Sequence, residues 1–347
     1  MSSVIQLNGK NLCIQKGIKQ VDFKASSVIT DDVWSFIELW LKRNKCNSAL
    51  SCWVQSRRFY EQAADSPIEV MPLPLYYSFL NATKALLESS KVAKYASTHG
   101  VSGGRDLSAK AVLANEMVTF KTDGVLAALC RYLGEGSLVE AYRLKDLLWN
   151  IPFIHRAFNH TYTSSQELFI PLKTPTYVRH ESTREAWIEA VVHPNFADSR
   201  KLKSLPKSIE LQLNDKAWIV RRRKRFNWFK GKTTKLQKDA ALVRLCNYHS
   251  ANRRIFAHIS GVNDLWYLKK DLPTNSLTER HLLTLMFAGM HRFSELARYD
   301  SAGLERLLAT DGNWLISEFI KGAPFQFIDQ IASEITGLKI VQPRIRS

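Results

Sequence analysis

The chain has 347 residues, 45% of them apolar, with nine Trp, 11 Tyr and 17 Phe. That is enough for one large domain or two ordinary ones, and it excludes a disordered, collagen-like or low-complexity chain. Its formal net charge of +17 points to a polyanionic partner or an anionic surface and says nothing about fold. No stretch approaches the roughly 20 apolar residues of a membrane span, and residues 1–25 carry scattered Lys and Asp instead of an apolar signal core. The expected location is the cytoplasm, with no membrane among the partners. The five cysteines (Cys13, Cys46, Cys52, Cys130, Cys246) are an odd set without C-x-x-C spacing, so reduced thiols are expected and no metal or cofactor is implied.

In chain order, Thr30-Asp31-Asp32 reads as a helix start, followed by Val33, Phe36, Ile37, Trp40 and Leu41 at helical spacing. Residues 47–64 repeat the pattern, and Pro72 and Pro74 open a third helix running to Leu87. Gly100, Gly103 and Gly104 mark 97–104 as a loop, and two further helices are expected over 122–134 and 138–150. The texture then turns to short β-type runs at 168–170, 176–178, 209–213 and 217–220, the alternation of Ile209, Leu211 and Leu213 being the clearest. A helix over 183–192 is expected from the capping-box pattern Ser182-Thr-Arg-Glu185. Helices resume at Lys235, a second capping box at Ser276-Leu-Thr-Glu279 opens one to Tyr299, and more follow over 301–309, 312–321 and 324–336. The expected fold is mainly α, a helical bundle with a β-containing insertion in the middle, α+β overall. Its expected parts are an N-terminal helical region 1–164, a basic β-containing segment 165–234 and a C-terminal helical region 235–347 that packs with the first.

Charge is distributed unevenly. Residues 201–270 hold 18 basic and four acidic side chains, so +14 of the +17 sits in seventy residues. The densest part interleaves Arg221, Arg222, Arg223, Lys224, Arg225, Lys230 and Lys232 with Phe226, Trp228 and Phe229. Guanidinium forks bind phosphates and aromatic faces stack on bases, so this run suits RNA or single strands. An amphipathic strand pair, with Trp218, Val220, Phe226 and Trp228 facing a core, produces the same pattern. The nucleic-acid reading requires the cations from Lys201 to Lys270 to form one continuous exposed face.

Standard enzyme signatures are absent: there is no Walker motif, G-x-S-x-G elbow, H-E-x-x-H or G-x-G-x-x-G. Arg and His with four to six residues between them, where Arg stabilises phosphoryl charge and His moves a proton, occur as Arg244/His249 and Arg253/His258. Two instances are roughly what this Arg and His content yields by chance. They are the candidate catalytic residues, with Lys224 and Arg225 positioning a phosphodiester. In the helix expected from Ser276, Arg280, Thr284, Phe287, His291, Glu295 and Arg298 fall on one narrow stripe, which either joins a buried hydrogen-bonded network or lines a cleft. His99, in Ser97-Thr-His-Gly100 after a helix carrying Lys84, is a further candidate to bind phosphate or cap a helix.

The succession of a Trp–Phe helix, Arg58-Phe-Tyr-Glu-Gln-Ala-Ala64, Leu73-Pro-Leu-Tyr-Tyr-Ser-Phe-Leu-Asn-Ala-Thr-Lys-Ala-Leu-Leu87 and Thr98-His-Gly100 resembles the bacterial YaaC family, as does Leu282 to Tyr299 closing on Leu296-Ala-Arg-Tyr299. This likeness spans nearly the whole chain and implies a fold neighbourhood without a reaction. Tyr76-Tyr77 through Leu87, with His99-Gly100-Val101, is also similar to the helical core of HEPN domains, many of which act on RNA in toxin and anti-phage systems. HEPN ribonucleases carry an Arg-x4–6-His pair, and residues 76–101 contain no Arg, so an endoribonuclease would have to recruit its pair from 244–258. The expected function is nucleic-acid binding through the basic aromatic segment, in stress or anti-phage defence. The alternative is a non-catalytic adaptor for a protein partner such as a nucleotide-metabolism enzyme, or a homo-oligomer, with Trp228 and Phe229 as hot spots. A third reading is a nucleotide binder using the 280–298 stripe.

Overall fold

The computed structural model describes residues 2–106, 108–136, 138–198, 202–214, 217–229, 231, 233–261 and 263–343. The chain divides into two compact units, one comprising Met1–Ile29, Leu168–Thr274 and Gly337–Ser347, the other Thr30–Glu167 and Asn275–Thr336. At 43% helix and 19% strand in several sheets, it is an α+β mixture. The expected mainly α, HEPN-like bundle with a β-containing insertion is therefore corrected. The strands are more numerous than the expected insertion allows because segments outside it, including Ser2–Val4 and Ile340–Val341, add strands of their own.

The strand-rich unit is built on an antiparallel sheet in the order Ser2–Val4, Thr176–His180, Glu185–Val191, Ala217–Arg222, Ile209–Asn214, with Phe226–Asn227 pairing beside Glu185 and Ala186. Residues 185–191 form a strand, not the expected helix. Ala186, Ile188 and Ala190 enter the core while Trp187 and Glu189 face away, a period of two that overrides the capping-box pattern ahead of it. A second sheet pairs Phe256–Ile259 and Leu265–Lys269, strands in a stretch expected to be helical, with Phe169–Leu172, where a β-type run is expected. The helix Lys235–Asn252 covers the core, packing Ala241, Leu245 and Tyr248 against Tyr177, Phe226 and Trp228. Its start is a capping box at Thr234 and Gln237, each side chain bonded to the other's backbone. The last strand, Ile340–Val341, runs parallel to Val28–Ile29.

In the helical unit, Val33–Arg43 starts at Asp32, whose carboxylate accepts from the Ser35 amide at 3.1 Å. Asn47–Ala64 and Pro72–Ser89 follow as expected. Phe79 stacks on Phe327 at 4.0 Å and 2°. The glycine-rich 97–104 contains a strand, Val101–Gly104, paired with Met117–Phe120, which pairs with Glu140–Arg143. So the helix expected over 138–150 begins only at Leu144. The long helix begins at Leu282, not after Ser276, with its entry fixed by Glu135, which accepts from the His281 amide at 2.6 Å. Asn313–Thr336 is one helix across Pro324, which forgoes only the bond to the Ile320 carbonyl. No helix among the described residues is long and apolar enough to cross a membrane.

Two buried ionic groups hold this unit. Glu116, fully buried, takes Arg105 at 2.5 Å and Arg292 at 2.6 Å, tying its loop to the long helix, while Glu135 takes Arg280 at 3.1 Å. Removing the carboxylate would leave the two buried guanidinium groups with only the partly exposed Asp300 and Glu295 as counter-charges, at 2.6 and 3.0 Å. Glu116→Leu is expected to lower the stability of this unit by about 3–5 kcal/mol, read as a lower urea midpoint at constant slope.

Candidate nucleic-acid interface

The pleat of strand Ala217–Arg222 sorts the arginine run, because neighbours on a strand point to opposite faces. Arg221 shares the outer face with Glu189 and Glu210, at 3.6 and 3.9 Å. Arg225 joins them, 2.6 Å from Glu210 and 4.5 Å above the Trp187 ring. These two cations are balanced by carboxylates. Phe226 and Trp228 are core residues, Trp228 only 2% exposed, so Trp228 is no surface hot spot and Phe226, though it contributes to the lining of a neighbouring cleft, is no exposed stacking platform. The expectation of one continuous cationic face is not met, so a nucleic-acid reading through the whole segment is lost and only one narrowed to the cations without carboxylate partners remains. Lys201, Lys230 and Lys232 lie outside the described residues.

Arg222 leaves the other face of the strand and reaches a cleft of about 400 Å³, lined also by Lys224, Arg225, Arg244, Asn247 and Glu185. The half-buried Arg222 guanidinium donates to the Ser208 carbonyl at 3.5 Å, while its Nε has no partner. Burial holds its pKa below the ordinary value, yet an arginine so placed stays charged at neutral pH. Arg244 crosses from the helix to the Asn227 carbonyl at 2.9 Å. Among the described residues, Arg222, Lys224 and Arg244 make no ion pair, and the one carboxylate lining the cleft is Glu185. Arg223 is exposed and donates to the Ile209 carbonyl at 3.2 Å. The cleft floor is fixed by Tyr248, whose hydroxyl accepts from the Ile188 amide at 3.2 Å and donates to the Lys224 carbonyl at 2.9 Å.

The two Arg–His pairs are placed differently. Five residues of helix turn His249 about 140° away from Arg244. His249 is fully buried, its Nε2 donating to the Gly17 carbonyl at 2.7 Å and its Nδ1 accepting from the Tyr177 hydroxyl at 2.8 Å. Arg253 is buried, donating to the carbonyls of Lys16 and Phe256 and lying 5.1 Å over Trp266. His258, also buried, meets Asp264 at 3.0 Å and the same Trp266 ring at 4.7 Å, and Asp264 in turn holds Lys339 at 2.7 Å. Trp266 thus brings Arg253 and His258 together, but inside the core, with their polar atoms engaged by the fold.

The stripe on the long helix is also divided. Arg280 and Thr284 bind Glu135, and Arg280 also binds Glu140, whereas Phe287 and His291 pack against Tyr76. Glu295 pairs with Arg292 at 3.0 Å, and Arg298 is exposed beside Tyr299. Among the described residues, no three His, Cys, Asp or Glu side chains converge on a metal-sized site.

Sequence reasoning found Arg222, Lys224 and Arg244 but not Tyr248 or Asn247, which their neighbours in the helix place at the cleft. The periodicity of Ala241, Leu245 and Tyr248 was the available signal. Tyr248→Phe should leave the Ile188 amide without a partner and lower stability by about 1–3 kcal/mol, measured by denaturant unfolding.

Burial drives the His249 pKa down to about 3 from 6.5, against the Gly17 bond, which favours the charged form. The unfolded chain therefore takes up a proton below pH 6.5 that the folded chain refuses until about pH 3. Stability from this group is complete above pH 6.5 and lost as pH falls toward 3. In His249→Gln the acid-side slope of unfolding free energy should be shallower by up to about 1.4 kcal/mol per pH unit, measured by urea titrations at stepped pH.

Comparison with curated proteins and with solved structures finds no match to this chain. The profile of the YaaC-like Protein family matches residues 23–335, which takes in the helical unit all but its last residue, most of the strand-rich unit and the whole cleft. The match supports the YaaC resemblance; the HEPN resemblance is not supported by it. The chain belongs to the YaaC-like family.

Proposed function

We propose that this YaaC-like protein binds nucleic acid, RNA or a single strand, by its phosphates, at the cleft between the strand end at Arg222 and the helix Lys235–Asn252. The observation that carries this reading is the set of three cations, Arg222, Lys224 and Arg244, that share a cleft and have no ion pair among the described residues. Holding a half-buried guanidinium without a counter-charge is costly, and a phosphate supplies what is missing, two oxygens for a bidentate fork. With the adjacent aromatics in the core, affinity comes from the backbone phosphates and base identity matters little. An adaptor using Trp228 as its anchor finds less support, because that ring is spent on the core.

Three neutralised phosphates on a single strand give a log–log salt slope of about −2. Raising NaCl from about 50 to 200 mM should therefore weaken binding of a fluorescein-labelled 20-mer RNA roughly 15–20-fold in anisotropy titrations. Arg222→Gln should flatten the slope by about 0.7, whereas Arg221→Gln, a residue already balanced by Glu189 and Glu210, should leave it nearly unchanged. Binding indifferent to salt, or equal loss in both variants, would overturn the assignment.

A further inference from the structure

The Arg222 cleft holds a carboxylate as well as cations. Glu185 lines it beside Arg222, Lys224 and Arg244, and among the described residues its side chain makes no ion pair and no hydrogen bond. Opposite charges that share about 400 Å³ attract, so something keeps them apart. The neighbouring protein groups do. Arg244 is held by the Asn227 carbonyl at 2.9 Å and Arg222 by the Ser208 carbonyl at 3.5 Å, while Arg225, which also lines the cleft, is taken by Glu210 at 2.6 Å. The cleft is thus built with its two signs of charge separated.

Sheet register sets what stands next to Glu185. It is the first residue of strand Glu185–Val191 and pairs directly with Asn227 of the short strand Phe226–Asn227. Residues directly opposite in an antiparallel pair share a face, with Cβ atoms about 5 Å apart. Both line the cleft, and the Asn227 carboxamide also has no hydrogen-bond partner among the described residues. One small polar group can therefore meet both side chains, donating to the carboxylate and accepting from the carboxamide N–H. The Asn227 carbonyl that holds Arg244 puts a guanidinium beside the same pair.

A ligand made of phosphates alone would satisfy the cations and bring its own charge against Glu185. A ligand with a hydroxyl next to each phosphate satisfies both. RNA has that arrangement within the strand: the 2′-hydroxyl lies on the carbon adjacent to the one that bears the 3′-phosphate, and it both donates and accepts. DNA brings the phosphate without the hydroxyl. Donors on the bases lie beyond the sugar and differ from one base to the next, so they supply no constant partner. The cleft volume, about 400 Å³, is near the lower end of the range for small-molecule sites and suits a single nucleotide of the strand.

We propose that Glu185 and Asn227 read the ribose 2′-hydroxyl of a nucleotide whose phosphate is held by Arg222, Lys224 and Arg244, so that the cleft takes RNA in preference to DNA. The preference rests on nucleic-acid binding at this cleft and adds the sugar to what the cleft selects.

The probes are fluorescein-labelled 20-mers of oligo(U), oligo(dU) and 2′-O-methyl oligo(U), titrated by anisotropy into the full chain. Oligo(U) should bind at least about tenfold tighter than either of the others, the low end for a hydrogen bond to a charged group. Glu185→Ala, at an exposed position, should tighten oligo(dU) by removing a repulsion and bring the three probes to equal affinity, with thermal unfolding confirming that the variant stays folded. Arg222→Gln should weaken all three alike, since each carries the phosphates. The proposal is overturned if 2′-O-methyl oligo(U) binds as tightly as oligo(U), or if the preference survives Glu185→Ala; salt-dependent binding of all three would then leave the phosphate reading standing. Absence of salt-dependent binding by any of the three would remove that reading and the sugar preference with it.

Discussion

The alternation of side chains across a β-strand is the constraint on which the basic segment depends. It puts Arg221 beside Glu189 and Glu210 on one face and Arg222 at a cleft on the other, although the two are neighbours in the chain. The same alternation puts Val220 in the core, so the strand cannot slip by one residue without burying Arg221 and exposing the apolar row. The charge of the run is divided by geometry into a neutralised half and an available one.

The molecule treats its buried charges in two ways. Glu116, Arg105 and Arg292 are matched, as are Glu135 and Arg280, and such groups register loops against helices. Arg222, half-buried with an unpartnered Nε and no carboxylate partner among the described residues, is unmatched. A fold stores desolvation cost in such atoms, and a ligand that satisfies them recovers it. Buried Arg253, His258 and His249 belong with the first group: their donors go to carbonyls and Asp264, which fixes segments distant in sequence to one core.

The helices of the other unit were readable because their apolar faces recur at 3.6 residues and their starts carry Asp32 or Pro72. Readings that rested on one local motif fared less well. Ser182-Thr-Arg-Glu185 matches a capping box, but Ala186, Ile188 and Ala190 find a sheet to complete, and burial of that row outweighs the cap. The glycines of 100–104 looked like a loop because a strand whose partners are remote leaves little trace in four residues. Of the candidate sites, the cations of the cleft were visible as a charge cluster. Glu185 and Asn227 were not, because only the sheet register sets them opposite each other beside those cations. His99 bonds through Nδ1 to the Tyr76 hydroxyl and meets the His291 ring at 5.7 Å, partners 23 and 192 residues away along the chain.

By itself the sequence determined that this is a folded, strongly basic chain with its charge concentrated in 201–270, a set of amphipathic helices and a YaaC-like order of segments. Those properties follow from composition and near-neighbour periodicity, which short-range physics is enough to express. Which arginines are neutralised, which histidines are buried and which stand together was decided only by the tertiary structure. Desolvation and ion pairing act between atoms a few ångströms apart in space, and pairings such as Glu116 with Arg292 are written nowhere in the local sequence of either partner.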